Sequence, residues 1–343
     1  MACEPRIFIF MYIFLTFILS LSLSFCSMIS MKYIAVSIGA LDIPTDARRM
    51  HREIVPRGAG VSIYFALLVS FLFSAFIRGV GLSFLSGSLL SGGALIVGLG
   101  LCDDIFSLDA KQKLFAQALI CLIPVCFGIK FDGLSFCSFS FVLPLPLSFA
   151  FSFSFILVLT NAFNLIDGLD GLAVGTFILC ILSLFVCKGT DTDISFLCAS
   201  LLGASLGFLP YNKHKASFFL GDCGSMLLGY CASLISISAL SPTSYYKTVF
   251  SDALPLATTS ENSSLFLPVL SVFFIFGYPF CEFLFTIFRR LKNRKSIFSA
   301  DAGHLHHRLI KRGFSHEKTV LILLAFSCVS SLLGAFLFLV FKI

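Results

Sequence analysis

Long apolar runs alternate with short polar loops along the whole chain. Runs of bilayer-crossing length lie at about 7–40, 61–77, 86–101, 114–129, 137–160, 171–187, 194–210, 226–240, 264–288 and 319–341. A helix needs about 20 apolar residues to cross the hydrocarbon core of a membrane. The pattern therefore predicts an all-α polytopic membrane protein with about ten transmembrane helices.

Composition excludes a soluble protein. Of the 343 residues, 58% are hydrophobic and only 12% are charged, and the mean hydropathy is +0.99. Average soluble domains carry about 25% charged residues. Most of the 13 cysteines lie inside apolar runs, where they behave as small hydrophobic side chains, so we assign them neither disulfides nor a metal.

The first apolar run, within residues 1–40, has two interpretations. Arg6 precedes it, as a basic residue precedes the apolar part of a cleaved signal peptide. The run is long, however, and more membrane-spanning sequence follows it. We therefore expect a retained first helix and a motif-bearing core at 41–343, which together form one integral-membrane domain.

Positive charge is concentrated in alternate loops. Loops 41–60, 102–113, 161–170, 211–217 and 289–317 contain 16 of the 24 Lys and Arg residues. Cytoplasmic loops of membrane proteins carry such an excess. We therefore expect these five loops in the cytoplasm and both termini outside. The net charge of +6 then reflects topology, and we expect no nucleic-acid partner.

A polar cluster interrupts the apolar pattern at 161–175, which reads NAFNLIDGLDGLAVG. Asn161, Asn164 and Asp167 are spaced three apart, which places them on one face of a helical turn, and Asp170 follows three residues later. The stretch is either a simple connecting loop or a set of oxygen ligands. We favour the ligands, because charged residues at a membrane boundary are costly and usually functional.

Two further acidic motifs each allow two interpretations. Asp103 and Asp104 follow an apolar run, and Asp222 lies between glycines at the start of another. Such carboxylates either bind Mg²⁺ beside a diphosphate or cap the ends of helices. The residues alone leave both interpretations open.

The densest imidazole cluster is His304, His306, His307 and Arg308 in DAGHLHHRL. Its basic neighbours and the lack of a nearby cysteine disfavour zinc, whereas imidazole and guanidinium groups suit phosphate oxygens. Binding of anionic lipid headgroups is the alternative. It accounts for the basic residues at 289–295 but not for three closely spaced histidines.

The remaining cytoplasmic loops contain further candidate ligands. Asn212 and Phe219 could hold a nucleobase by hydrogen bonding and stacking, and His51, Arg52 and Arg57 could contact phosphate.

Taken together, five ordered motifs resemble those of the polyprenyl-phosphate N-acetylhexosamine-1-phosphate transferases. They are a Pro-Arg loop at 42–60 with Ala59 where glycine is usual, the Asp pair at 103–104 with Lys113, NxxNxxDGxDGLA at 161–173, GFLxxN…FxGDxGSxxLG at 207–229, and HxHHRLxxxGF at 304–314. The ending HLHHRL resembles the GlcNAc-1-phosphate transferases that begin teichoic acid, O-antigen or related envelope glycans. Glu282 departs from the pattern, since these enzymes usually have Asp there, which puts a helper role at this position in doubt.

The resemblance implies transfer of GlcNAc-1-phosphate from UDP-GlcNAc to undecaprenyl phosphate, with release of UMP, at the cytoplasmic face of a bacterial plasma membrane. It implies Mg²⁺, with Mn²⁺ as an alternative, held by Asp222, Asn164 and Asp103. The implied catalytic residues are Asp103, Asp104, Asp167, His304, His306, His307 and Arg308. The implied substrate-binding residues are Asp170, Asn212, Phe219, Lys113, His51, Arg52 and Arg57.

Other functions are weighed against this one. The donor could be another UDP-N-acetyl sugar such as UDP-MurNAc-pentapeptide, or the protein could be a transporter or an inactive membrane scaffold. A transporter should carry its ionisable residues at mid-bilayer, and an inactive scaffold should have lost the motif carboxylates, all of which are present. A direct displacement, a covalent aspartyl-phosphate route and a homodimer all remain compatible with the sequence.

Overall fold

The computed structural model describes residues 6–44, 53–131, 133–136, 139–188, 192–240, 266–294, 296 and 303–341. The helices in this part of the chain are α1 Arg6–Ser37, α2 Gly60–Arg78, α3 Phe84–Phe106, α4 Ala110–Cys126, α5 Leu145–Ile166, α6 Leu172–Lys188, α7 Thr192–Asn212, α8 Gly221–Leu240, α9 Phe266–Ile275, α10 Gly277–Lys292, α11 Leu305–Lys311 and α12 His316–Phe341. Two antiparallel strand pairs accompany them, β1 Leu41–Asp42 with β2 Val55–Pro56 and β3 Gly133–Phe136 with β4 Phe139–Val142.

Seven of the described helices are long and apolar enough to cross a membrane: α1, α2, α3, α5, α7, α8 and α12. They lie where the apolar runs predict spans, which confirms a helical polytopic membrane protein. The other predicted spans fall on α4, α6, α9 and α10, which have 17, 17, 10 and 16 residues. The total of about ten spans and their orientation remain predictions.

The expectation of one helix over 137–160 was wrong in its first part. The chain forms the β3–β4 hairpin there, in which Gly133 pairs with Val142, and α5 begins only at Leu145 after the N-cap Pro144. Proline is favoured at helix starts because its φ is fixed and its missing N–H has no helical partner to lose. The strands of both hairpins are only two to four residues long, so the described part of the chain agrees with the predicted all-α class.

The apolar run at 264–288 is divided into α9 and α10, whereas one helix was expected. Pro279 lacks an N–H, so the carbonyl of Ile275 loses its helical donor. That carbonyl accepts instead from Ser331 Oγ at 2.8 Å and from Cys180 Sγ at 3.1 Å. The neighbouring helices α12 and α6 therefore satisfy the backbone at this break.

The serine-rich middle of α1 packs closely on α7. Ser20 and Ser24 donate their hydroxyls to the carbonyls of Ser200 and Ala204, at 2.5 and 2.7 Å. A Cβ on Gly203 would lie 2.4 Å from the carbonyl oxygen of Phe17, so only glycine fits. Small residues and interhelical hydrogen bonds are the usual means by which membrane helices associate.

Helix α8 lies at the centre of the bundle, because nearly all of Gly221–Ala239 is buried. Glycines bring its neighbours very close. A Cβ on Gly60 of α2 would lie 2.4 Å from the backbone nitrogen of Gly224, and one on Gly100 of α3 would lie 2.3 Å from Cys223 Cα. This packing brings the polar C-terminal end of α3 to the N-terminus of α8.

Candidate active site

The N-terminus of α8 is held by a carboxylate from α3. Asp104 is only 5% exposed, and it accepts the backbone N–H of Asp222 at 2.9 Å and that of Cys223 at 3.3 Å. Gly221 precedes them with a φ of 73°, and a Cβ there would lie 2.5 Å from Asp104 Oδ2. Asp104 thus satisfies free N–H groups of α8, which is the helix-capping interpretation of this residue.

The neighbouring Asp103 takes part in a second network. Its Oδ2 accepts from Lys113 Nζ at 2.9 Å, and the same ammonium group also contacts Asp222 Oδ2. Asn164 at the end of α5 donates from Nδ2 to Asp222 Oδ1 and to Ser225 Oγ, both at 2.9 Å. The ammonium group of Lys113 and the amide of Asn164 therefore both contact Asp222. The three predicted metal ligands, Asp103, Asn164 and Asp222, thus lie close together.

A cavity of about 740 Å³ opens beside these networks. It is lined by eight of the predicted site residues, Arg57, Asp104, Asp167, Asp170, Asn212, Phe219, Asp222 and His307. Asp42, Glu53, His214, Lys215 and His316 are further polar lining residues. Five separate polar stretches of the sequence therefore meet in one space.

Part of the cavity wall is built around Asp170. Its Oδ2 accepts the backbone N–H of Ala216 at 3.2 Å and lies 3.4 Å from His214 Nδ1. Close by, Asn212 Oδ1 accepts the N–H of Gly171 at 3.0 Å. The 161–175 stretch and the 211–220 loop are thus joined by hydrogen bonds, and both line the cavity.

The cavity is also lined by the carboxylate of Asp167, which directly follows α5. Burial raises the pKa of Asp167 well above its ordinary value, and the negative charges of Asp222 and Asp104 raise it further. Arg57 partly offsets this negative charge, since its guanidinium lies 2.6 Å from Asp42 Oδ1 and 3.9 Å from Asp104 Oδ1. Carboxylates and a guanidinium group therefore line the cavity together.

The three histidines of HLHHRL have different surroundings. His307 lines the cavity, whereas His306 is 1% exposed and packs on Gly168, where a Cβ would lie 2.4 Å from His306 Nε2. Burial, together with the smaller effects of the adjacent His307 and His304, lowers the pKa of His306 to about 3. His304 contacts Glu282 instead, and Arg308 is exposed, with its guanidinium 5.1 Å from the centre of the Phe285 ring.

Comparison with known proteins decides the family. The model of glycosyl transferase family 4 matches residues 86–240. The chain is 34% identical over 324 residues to a decaprenyl-phosphate N-acetylglucosaminephosphotransferase of Mycobacterium tuberculosis, covering 88% of this chain and 78% of the relative. The chain belongs to glycosyl transferase family 4.

Two further relatives carry a closely related name, undecaprenyl-phosphate alpha-N-acetylglucosaminyl 1-phosphate transferase. The protein of Thermotoga maritima is 31% identical over 303 residues, with 86% of this chain and 80% of the relative covered. The protein of Escherichia coli K12 is 26% identical over 312 residues, with coverages of 88% and 77%. The similarity to these glycosyl transferase family 4 proteins thus extends over most of each chain.

The donor atoms of this family 4 site suit a hard divalent cation. Lys113 Nζ lies between carboxylate oxygens of Asp103 and Asp222, so those oxygens converge on a position that accommodates positive charge. The surrounding ligands are oxygen atoms, which Mg²⁺ prefers. Asn164 turns its NH₂ group toward Asp222, so it would become a ligand only with its amide rotated.

The sequence motifs did not single out five polar residues that line the cavity, Asp42, Glu53, His214, Lys215 and His316. His316, the first residue of α12, accepts the backbone N–H of Asp170 at its Nε2 at 3.3 Å. Its ring stacks on that of His214, with centroids 4.4 Å apart. His214 could have been identified from the sequence because it lies two residues after the predicted site residue Asn212, whereas no neighbouring motif pointed to His316. Of the predicted residues, His51 and Arg52 lie outside the described part of the chain.

Proposed function

We propose that this protein transfers GlcNAc-1-phosphate from UDP-GlcNAc to undecaprenyl phosphate and releases UMP. The reaction joins an oxygen of the lipid phosphate to the β-phosphorus of the donor. The bond from that phosphorus to the bridging oxygen breaks, and UMP leaves with the oxygen. Family membership and the names of the relatives support this activity.

The observation that carries the proposal is a cavity that brings an aromatic ring together with carboxylates and N–H donors. Its volume of about 740 Å³ lies within the range of about 300–1,000 Å³ that small-molecule sites occupy. Phe219 offers a ring for stacking on the base, and Asn212, whose amide donates to the Phe218 carbonyl at 3.2 Å, holds the loop that presents that ring. His307 and Arg57 line the same cavity and offer N–H donors for phosphate oxygens.

Little proton transfer is needed in this reaction, because a phosphate monoester has its second pKa near 6 and is largely dianionic at neutral pH. The protein must therefore mainly orient two anions and neutralise their charge, as in other phosphoryl transfers. We assign Asp104 to holding the backbone of Asp222, and Lys113 to orienting the side chains of Asp103 and Asp222.

Mg²⁺ fits the site, and Asp222, Asp103 and, with its amide rotated, Asn164 would hold it. When bound, the cation would neutralise negative charge on the diphosphate. Mn²⁺ offers the same oxygen preference. The site is proposed to face the cytoplasm of a bacterium, because the loops that form it carry most of the positive charge of the chain.

The test uses purified protein in detergent with Mg²⁺ and a polyprenyl phosphate. UMP release is followed in parallel from UDP-GlcNAc, UDP-GalNAc and UDP-MurNAc-pentapeptide, with undecaprenyl and decaprenyl phosphate as acceptors. We expect release from UDP-GlcNAc that is lost with EDTA and in Asp222→Asn. Release from another donor alone would change the assigned substrate, and release from none would support an inactive scaffold.

A further inference from the structure

Glu282 is a buried carboxylate that the reaction described above does not use. It lies on α10, is 2% exposed, and shares one face of that helix with Thr286 and Arg289 at spacings of four and seven residues. Burying a carboxylate is costly unless it is well hydrogen-bonded. Its partners therefore indicate its role.

Those partners are consecutive residues at the start of α11. Glu282 Oε1 lies 2.9 Å from His304 Nδ1, and the backbone N–H of Leu305 donates to Oε1 at 3.2 Å and to Oε2 at 3.1 Å. Because a carboxylate only accepts, His304 carries its proton at Nδ1 in this contact. Thr286 Oγ1 lies 3.4 Å from the same nitrogen.

Arg289, on the same face of α10, contacts Gly303, the residue before His304. Its guanidinium donates to the carbonyl of Gly303, and a Cβ on Gly303 would lie 2.6 Å from Arg289 Nε. One face of α10 therefore holds three successive residues, Gly303, His304 and Leu305. His307 follows His304 by three residues, one turn further along, and it is the histidine of this motif that lines the cavity.

We infer that Glu282 and His304 form a positioning pair that orients α11 so that His307 meets the substrate phosphates. His304 acts through its bond to Glu282 and not through contact with substrate. The longer side chain at position 282 does not abolish a role there, since the glutamate reaches both His304 and Leu305. This inference rests on the proposed function and adds residues to the same site.

The experiment compares Glu282→Gln, His304→Ala and His304→Asn, because the Asn side-chain N–H can replace the imidazole Nδ1–H toward Glu282. Loss of partners that orient a functional group typically costs about 10–100-fold. We expect kcat to fall by about that factor in Glu282→Gln and His304→Ala, and to stay within about threefold in His304→Asn. The Kd for uridine, which carries no phosphate, should stay within about twofold in all three variants, because none of them changes Phe219 or Asn212.

Asp109→Asn serves as the control, since this exposed carboxylate caps α4 through the N–H of Lys111 and Asn retains that bond. It should match the wild type. A defect in His304→Asn as large as that in His304→Ala would overturn the inference, because the imidazole itself would then be required. An unimpaired Glu282→Gln would do the same. If Glu282→Gln does not fold, the two His304 variants decide alone.

Failure of the proposed function would look different. The wild type would then release no UMP from any donor, while the pair would remain measurable through thermal unfolding. His304→Ala should lower the unfolding midpoint, and His304→Asn should recover most of it. Equal midpoints for the two variants would overturn the pairing without any reference to activity.

Discussion

Replacing Gly221 with alanine tests how the α8 N-terminus is built. Gly221 has a φ of 73°, and an added Cβ would lie 2.5 Å from Asp104 Oδ2 and 3.0 Å from its Cγ. Alanine at this position would therefore have to adopt a left-handed conformation. Its Cβ would also push the Asp104 carboxylate away from the backbone N–H groups of Asp222 and Cys223, which donate to it. Gly79 is the matched control, because its φ is 62° and nothing lies within 4 Å of its added Cβ.

The two substitutions should differ by the energy of the displaced hydrogen bonds. A left-handed alanine costs about 1–2 kcal/mol, which is the whole effect expected for Gly79→Ala. Losing one hydrogen bond to a charged acceptor costs about 1.5–3 kcal/mol more. Gly221→Ala should therefore lose about 2.5–5 kcal/mol of unfolding free energy. Its UMP release should fall at least about tenfold, because the Asp222 backbone moves with the cap.

The measurement is unfolding in detergent by SDS titration, together with UMP release. A double-mutant cycle isolates the contact: in an Asp104→Ala background, Gly221→Ala should cost only about as much as Gly79→Ala. Equal destabilisation by the two glycine substitutions in the wild-type background would refute the argument. An undiminished cost of Gly221→Ala in the Asp104→Ala background would refute it as well.

Three further predictions concern single side chains. Below about pH 6.5 the unfolded chain protonates His306, whereas the folded protein protonates it only near pH 3. As the pH falls through this range, the wild type should therefore lose about 1.4 kcal/mol of unfolding free energy per pH unit relative to His306→Gln. Unfolding midpoints measured against pH test this, and parallel pH profiles for the two proteins would contradict it. Lys113→Ala removes the ammonium between Asp103 and Asp222, so its unfolding midpoint should drop and recover with millimolar Mg²⁺ but not with NaCl of equal ionic strength. Phe219→Ala should weaken UMP binding about tenfold by calorimetry, whereas Phe219→Tyr should bind normally; equal binding by both would exclude stacking.

The sequence predicted the helical elements well, because a membrane helix satisfies its own backbone and must be apolar over its length. It missed the break between α9 and α10, although Pro279 was visible, because the Ile275 carbonyl is satisfied by Ser331 and Cys180 from other helices. It likewise missed the β3–β4 hairpin, whose residues are as apolar as the neighbouring helix. Apolarity alone does not distinguish the two structures.

The motifs predicted which residues gather, and the cavity brings together Asp104, Asp167, Asp170 and Asp222 from distant parts of the chain. The different surroundings of these four carboxylates could not be predicted from the sequence. Asp104 could be read as a metal ligand or a cap, and its distances to the α8 backbone show the cap.

By itself the sequence determined that this chain is a polytopic membrane protein and where its polar clusters lie, because both follow from local polarity. Only the tertiary structure decided which of three adjacent histidines faces the cavity and which is held by Glu282. The reason is that neighbouring residues of one motif point in different directions. The surroundings of each residue depend on which helices pack against the motif. Close contacts at glycines, such as Gly100 against Cys223, bring together helices from distant parts of the chain.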